Sequence, residues 1–237
     1  MADNTIPRRG FLSGAAGAAA GATLVAGLPQ AQAQAQTAQA AEGAAMAEAP
    51  LTLNPTEMAF VTAAVDTLIP ADELTPKGSD CGIDVFIDRQ LASAWGGGAK
   101  LYRAGPYLKG KPENGYQLPL TPREFFAAGI AATNAWTVKT IGKEFDRLDD
   151  AQRVEVLKTL EGGKAELGDV GAKPFFEALL GLTIEGLLSD PMYGGNRGKI
   201  GWKMVGFPGL PALYTDKIVA YRGKRYDAEP QSIADFS

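Results

Sequence analysis

The same helix-opening phrase is written three times along this chain. Asn54-Pro55-Thr56-Glu57, Thr121-Pro122-Arg123-Glu124 and Asp149 with Gln152 each place a short polar side chain three residues before Glu or Gln. The first residue of such a box accepts from the N–H three positions on, and the Glu or Gln returns to the cap's own N–H. In the first two, proline follows the cap, where its fixed φ suits a first helical turn and its missing N–H costs nothing. Apolar residues then recur at helical spacing: Phe60, Val61, Ala64, Val65, Leu68 and Ile69 after the first box, and Phe125, Phe126, Ile130, Trp136 and Ile141 after the second. Val154, Leu157 and Leu160 follow the third, up to a stop at Gly162-Gly163. The first helix should stop at Pro70, because the residue before proline is pushed out of the α region.

Two more helices are expected without such a box. Residues 84–94 would bury Phe86, Ile87 and Leu91 and end at Gly96-Gly97-Gly98, and residues 174–189 carry Phe175, Phe176, Leu179, Leu182 and Leu187. No β-branched alternation of useful length competes, and no repeat is present. The expected fold is therefore mainly α, a compact domain of about four to six helices over residues 51–237, with long ordered loops and an extended C-terminal tail. Residues 99–119 form the longest loop and hold Tyr102, Tyr107 and Tyr116. Loops of that length inside a compact domain are usually functional or disordered, and the tyrosines favour an ordered one. The tail after Gly209, with Tyr214, Tyr221, Arg222, Arg225 and Tyr226, has the composition either of an interface anchor or of a strap on the chain's own core.

Ahead of the domain lies an export signal. Arg8-Arg9-Gly10-Phe11-Leu12 is a twin-arginine pattern, followed by an Ala- and Gly-rich apolar run to Leu28 and by small-residue cleavage options at Ala31-Gln32-Ala33 and Ala33-Gln34-Ala35. Residues 1–33 are read as the signal and residues 34–50 as an Ala/Gln linker. The twin-arginine route carries proteins already folded, and the expected location is the periplasm. The longest uncharged run in the expected helices, Phe125 to Val138, has 14 residues, short of the ~20 a spanning helix needs. Membrane contact is therefore expected through a partner.

Chemistry is bounded by what the composition lacks. There is no histidine, which removes Ser-His-Asp and Cys-His catalysis and imidazole ligation of metals or haem. One cysteine, Cys81, allows no internal disulfide, no Cys-x-x-Cys pair and no iron–sulfur site. No Gly-x-Gly-x-x-Gly stands between a strand and a helix, and no P-loop is present. The net charge of −4 has no basic stripe with interleaved aromatics, against a nucleic-acid partner. Paired carboxylates could in principle hydrolyse glycosides, yet Glu57 and Glu124 sit where capping boxes want them, and Asp66 and Glu144 fit solvated helix faces. No catalytic, cofactor-binding or metal-ligating residue is assigned to this chain.

One segment follows neither period. Asp190-Pro191-Met192-Tyr193-Gly194-Gly195-Asn196 runs into Gly201-Trp202-Lys203-Met204-Val205-Gly206-Phe207-Pro208-Gly209. Glycines permit left-handed or close-approach backbone here, and the prolines fix φ. Taken alone it reads as a structured loop over a helical core.

This segment resembles the DPxYGGN…W…GFPG pattern of the gluconate 2-dehydrogenase subunit 3 family. Thr67-Leu68-Ile69-Pro70-Ala71-Asp72, Phe86-Ile87-Asp88-Arg89-Gln90-Leu91 and Leu120-Thr121-Pro122-Arg123-Glu124-Phe125 extend the resemblance over most of the mature chain. It implies a small, non-catalytic subunit partnered by a large FAD-containing subunit of GMC-type fold and a multihaem cytochrome c. FAD and haem c would then belong to the partners, and the signal on the small subunit would export the folded flavoprotein. The Pro-Met-Tyr-Gly-Gly-Asn stretch is more similar to gluconate and 2-ketogluconate dehydrogenase subunits than to the glucose, fructose or sorbitol relatives. Tyr193, Gly194, Gly195, Asn196, Trp202, Phe207, Pro208 and Gly209 are the expected partner interface, with Tyr193, Trp202 and Phe207 forming either a partner contact or the support of one. Cys81 is a further candidate: an odd cysteine in an exported protein points to an intermolecular disulfide or a free thiol, the alternative being a buried, inert small hydrophobe; flanking Gly, Ser and Asp argue against burial, and some relatives are thought to join their subunits this way. Two other classes remain open, a periplasmic binding protein using the Tyr-rich loops as a cleft and a stand-alone carboxylate hydrolase.

Overall fold

The computed structural model describes residues 49–236 apart from residues 103, 109, 112, 113, 211 and 212. The signal, with Arg8, Arg9, Phe11 and Leu12, and the linker up to residue 48 lie outside the described residues. Among those described, the fold is mainly α: α1 (Pro55–Leu68), α2 (Ile83–Ala92), α3 (Pro122–Ile141), α4 (Asp150–Glu161), α5 (Ala172–Leu188), α6 (Ile200–Val205) and α7 (Thr215–Ala220). The only pairing of strand type among them is an isolated parallel bridge between Gly209 and Gln231.

All three capping boxes form. Asn54 Oδ1 accepts from Glu57 N–H at 3.0 Å while Glu57 Oε2 accepts from Asn54 N–H at 2.9 Å. Thr121 with Glu124, and Asp149 with Gln152, make the same reciprocal pairs. These boxes satisfy N–H groups that a helix start otherwise leaves without partners. Glu57 and Glu124 are thus held as caps.

Helices α1 to α5 enclose one core, and its centre is aromatic. Phe60 of α1 packs against Phe145 and Phe175 with ring centroids at 4.7 and 6.1 Å, and Phe125 and Phe126 of α3 meet Phe175 of α5 edge-on. Phe60, Phe125, Phe145 and Phe175 are fully buried, each stabilising the fold by roughly 2–3 kcal/mol before side-chain entropy is counted. Phe145 reaches the centre from a single 3-10 turn, Phe145–Arg147, whose entry is held by its N–H donating to Asn134 Oδ1 on α3 at 3.1 Å.

Several boundaries differ from the sequence expectation, each for a local reason. Helix α2 ends at Ala92 because Ser93 turns extended and its hydroxyl donates to the Gln90 carbonyl. Ahead of α1, buried Asp88 accepts from the N–H groups of Leu51, Thr52 and Leu53 at 2.6, 3.0 and 2.9 Å, tying the entering chain to α2. The tyrosines of the 99–119 loop diverge. Tyr116 stacks on Phe125 at 4.0 Å, whereas Tyr102 points into solvent. Two helices beyond the expected ones, α6 and α7, have six residues each, too short for a period to show.

Candidate partner interface

The Asp190–Gly209 segment lies across the C-terminal end of α5. The last carbonyls of a helix have no partner within it, and this segment supplies several. Trp202 donates its indole N–H to Leu188 O at 2.7 Å, and Asn196 Nδ2 donates to Ser189 O at 2.8 Å. Asn196 Oδ1 in turn accepts from Gly201 N–H at 2.8 Å, so one fully buried amide joins the end of α5 to the start of α6. Gly195 and Gly201 cross directly over the helix end: a Cβ at Gly195 would collide with the Gly186 carbonyl, and one at Gly201 with the Leu187 carbonyl. The apparent irregularity of the sequence here is a helix cap built from side chains and close backbone approach.

Asn196 and Lys199 take positive φ, at 47° and 58°, as the cap and the last residue of the 3-10 turn Arg197–Lys199. Left-handed backbone is uncommon outside glycine and most tolerated by Asn. Lys199 is held by its Nζ, which donates to Pro230 O at 2.9 Å and pairs with Asp235 at 2.5 Å. That bond, with the Ser232 N–H and hydroxyl, brings the Asp235 carboxyl down to about 2. Asp190 accepts from Met192 N–H and from Ile233 N–H. Leu210 and Gln231 complete the bridge, donating to Gln231 O and Pro208 O respectively. Residues 230–236 are therefore a strap on the chain's own body.

The expected interface residues separate into two groups. Asn196, Gly195, Gly209 and Trp202 are buried, and they build the surface from within. Gly194, at φ 104°, turns the chain against Val85 and Arg89 of α2, and Pro208 is half-buried. Tyr193 and Phe207 are exposed. Phe207 packs edge-on to Trp202 with centroids at 5.2 Å, and Met192, Met204, Val205 and Ile233 are exposed nearby in sequence or through the strap. The result is a rigidly seated glycine-rich segment that presents apolar side chains outward, the character of a binding surface.

Cys81 overturns its expectation of exposure. It is 1 % exposed, its thiol directed at Pro76 O at 3.6 Å and its carbonyl accepting from Arg197 N–H at 3.1 Å. Burial raises the thiol pKa, with Asp80 adding to that and Arg197 opposing it. A thiol so placed reaches no partner sulfur unless the loop around it moves. The flanking polar residues are no guide here, because the Asp190–Gly209 segment covers this loop from far along the chain.

Sequence reasoning missed two acids on α2. Asp88 is the anchor described above. Asp84, one turn earlier, accepts from the Thr62 hydroxyl at 3.0 Å and Val85 N–H at 2.9 Å. Burial pushes the Asp84 carboxyl above its usual range, against those hydrogen bonds and Arg197, with Asp66 adding to the rise. Their signal was available as two acids four apart inside an apolar block, on one helix face. Asp66, expected on a solvated face, accepts from Ser79 N–H and pairs with Lys77, so it fastens the loop that leads to Cys81. Among the described residues no group of three or more His, Cys, Asp or Glu is placed to hold a metal ion, and no helix is long and apolar enough to cross a membrane.

Residues 55–209 match the family described as gluconate 2-dehydrogenase subunit 3. The match covers more than half of the chain and runs from the first residue of α1 to the glycine of the β-bridge. No curated protein and no solved structure matches the chain. The chain belongs to the gluconate 2-dehydrogenase subunit 3 family, and is a small subunit of a multi-subunit dehydrogenase complex of that type.

Proposed function

We propose that this chain is the non-catalytic small subunit of a periplasmic gluconate 2-dehydrogenase, required to export, mature and stabilise a flavin-containing large subunit. In that complex gluconate loses two electrons and two protons at C2, giving 2-ketogluconate. FAD in the large subunit takes the electrons, and a multihaem cytochrome c passes them on to quinone. The observation that carries the reading is the family match, because it contains the whole Asp190–Gly209 segment. The geometry supports it: that segment is fixed from beneath by Asn196 and Trp202 and displays Tyr193 and Phe207. Aromatic side chains seated on a rigid base lose little entropy on docking, which is what a stable subunit contact needs.

The export half of the proposal rests on Arg8-Arg9-Gly10-Phe11-Leu12. A large subunit without its own signal would cross the membrane bound to this one, already folded and loaded with FAD. The test replaces both arginines with lysine in the full chain and follows the flavoprotein by cell fractionation. Both subunits should remain in the cytoplasm, and gluconate-dependent dye reduction should disappear from the periplasmic fraction. Normal periplasmic activity in the double variant would refute the carrier role.

A further inference from the structure

Three of the four residues from Asn196 to Lys199 have left-handed backbone: Asn196 at φ 47°, Gly198 at 64° and Lys199 at 58°. Asn and Gly take that region at little cost, whereas a long L side chain does not. Lys199 is therefore the residue of the turn that its own chemistry would return to negative φ. Its ammonium is gripped from outside the segment: Nζ donates to Pro230 O at 2.9 Å and to Asp235 at 2.5 Å, while its N–H donates to Asn196 O at 2.8 Å. Backbone in a costly region persists only where its surroundings over-determine it. Here the surrounding that reaches the side chain is the strap.

The turn in its place covers the Cys81 loop. Arg197 N–H donates to Cys81 O at 3.1 Å, and the Arg197 side chain lies so close over Gly82 that a Cβ there would collide with its Nε. The Arg197 charge is felt at both Cys81 and Asp84. The strap, by contrast, is lightly held. Its grips are polar: Lys199 with Asp235 and Pro230, Asp190 with the Ile233 N–H, and the N–H groups of Leu210 and Gln231 across the bridge. Just ahead of it Lys203 pairs with Glu229 at 2.9 Å. Within residues 230–236 only Pro230 and Ser232 are buried, Ile233 and Phe236 are exposed, and none belongs to the hydrophobic core. Segments with so few buried apolar contacts open locally at a free energy well below that of global unfolding. The strap lies beyond residue 209, where the family match ends, yet it fastens Asp190 and Lys199 inside that match.

We infer that residues 230–236 are a releasable latch. Seated, they hold Lys199 left-handed and keep the 196–199 turn over the Cys81 loop. Released, they let Lys199 relax to negative φ, and the loop opens to solvent while the helical core stays folded. Cys81 is the one cysteine of the chain, so its alkylation by N-ethylmaleimide under native conditions reports the opening. Lys199→Met removes the ammonium but leaves a residue for which left-handed backbone is costly; a chain ending at Glu229 removes the strap; Lys199→Gly removes the ammonium and the cost together. Lys199→Met and the shortened chain should each be alkylated on the order of tenfold faster than the parent. Lys199→Gly should stay within about twofold of the parent, and in the shortened chain it should bring the rate back towards the parent's. Far-UV circular dichroism at the assay temperature separates local opening from unfolding, and should one opened variant unfold, the other decides. Hydrogen exchange of the parent needs no variant: the N–H groups of Arg197, Gln231 and Ile233 should exchange together, ahead of those within α5. Alkylation of both opened variants at the parent's rate would overturn the inference. So would a Lys199→Gly chain as reactive as Lys199→Met, or an Arg197 N–H that exchanges only with α5.

Discussion

At the scale of single residues, the acids of α2 carry more of the structure than the charged residues visible in the sequence. Asp88 gathers three N–H groups of residues 51–53, so Asp88→Ala leaves donors without partners at a buried site. The expected loss is about 3 kcal/mol, and thermal unfolding of the isolated subunit should show a midpoint lower by roughly 6–12 °C. A shift under 2 °C would mean water satisfies those groups. Asp84 predicts the opposite sign. Its folded pKa is raised by burial above 3.8, so its ionised form opposes folding, and the stability tied to its neutral form is lost as pH rises through the folded value. Asp84→Asn keeps a partner for Thr62 and Val85 without the buried charge. It should unfold at a higher temperature than the parent at pH 7, and the gap should close as pH falls towards 4. A lower midpoint at pH 7 would show that attraction to the Arg197 charge and the hydrogen bonds outweigh burial. Cys81 should resist thiol reagents in the native subunit and react on unfolding, and the complex should run as separate bands without reductant. Rapid native labelling, or a thiol-sensitive joint band, would restore the intersubunit bond.

At the scale of elements, legibility followed the range of the interaction that makes each one. The starts of α1, α3 and α4 were readable because a capping box is complete within four residues, and the apolar stripes because each helix buries its own. The cap on α5 was not readable. It joins Ser189 to Asn196 and Leu188 to Trp202, across a loop whose glycines looked merely permissive. For the same reason the sequence leaves open whether Trp202 is a contact or its support; in the structure its indole closes a helix. Trp202→Ala should therefore destabilise the subunit itself, by roughly 3–5 kcal/mol, and Trp202→Phe by about 1–2 kcal/mol for the hydrogen bond alone. Urea unfolding of the isolated chain measures both. Equal stability of all three proteins, with assembly impaired only in the variants, would return Trp202 to the partner surface.

At the scale of the whole molecule, the mainly α class followed from pattern, and family membership from short blocks of residues spread between α1 and Gly209. The strap in the tail could not be read from composition, because Tyr and Arg suit an interface anchor equally. It took the contacts of Lys199 and Gln231 to show it. On the function proposed above, this helical body leaves the chemistry to its partners, and one purification tests that most directly. The tagged full chain, recovered from membranes of its native host at its natural level, is assayed for bound flavin, haem c and gluconate-dependent dye reduction. All three should elute with the tag in constant proportion and be absent when the chain is produced alone. A tagged chain that elutes without flavin or haem, or one that oxidises gluconate unaided, would contradict the account.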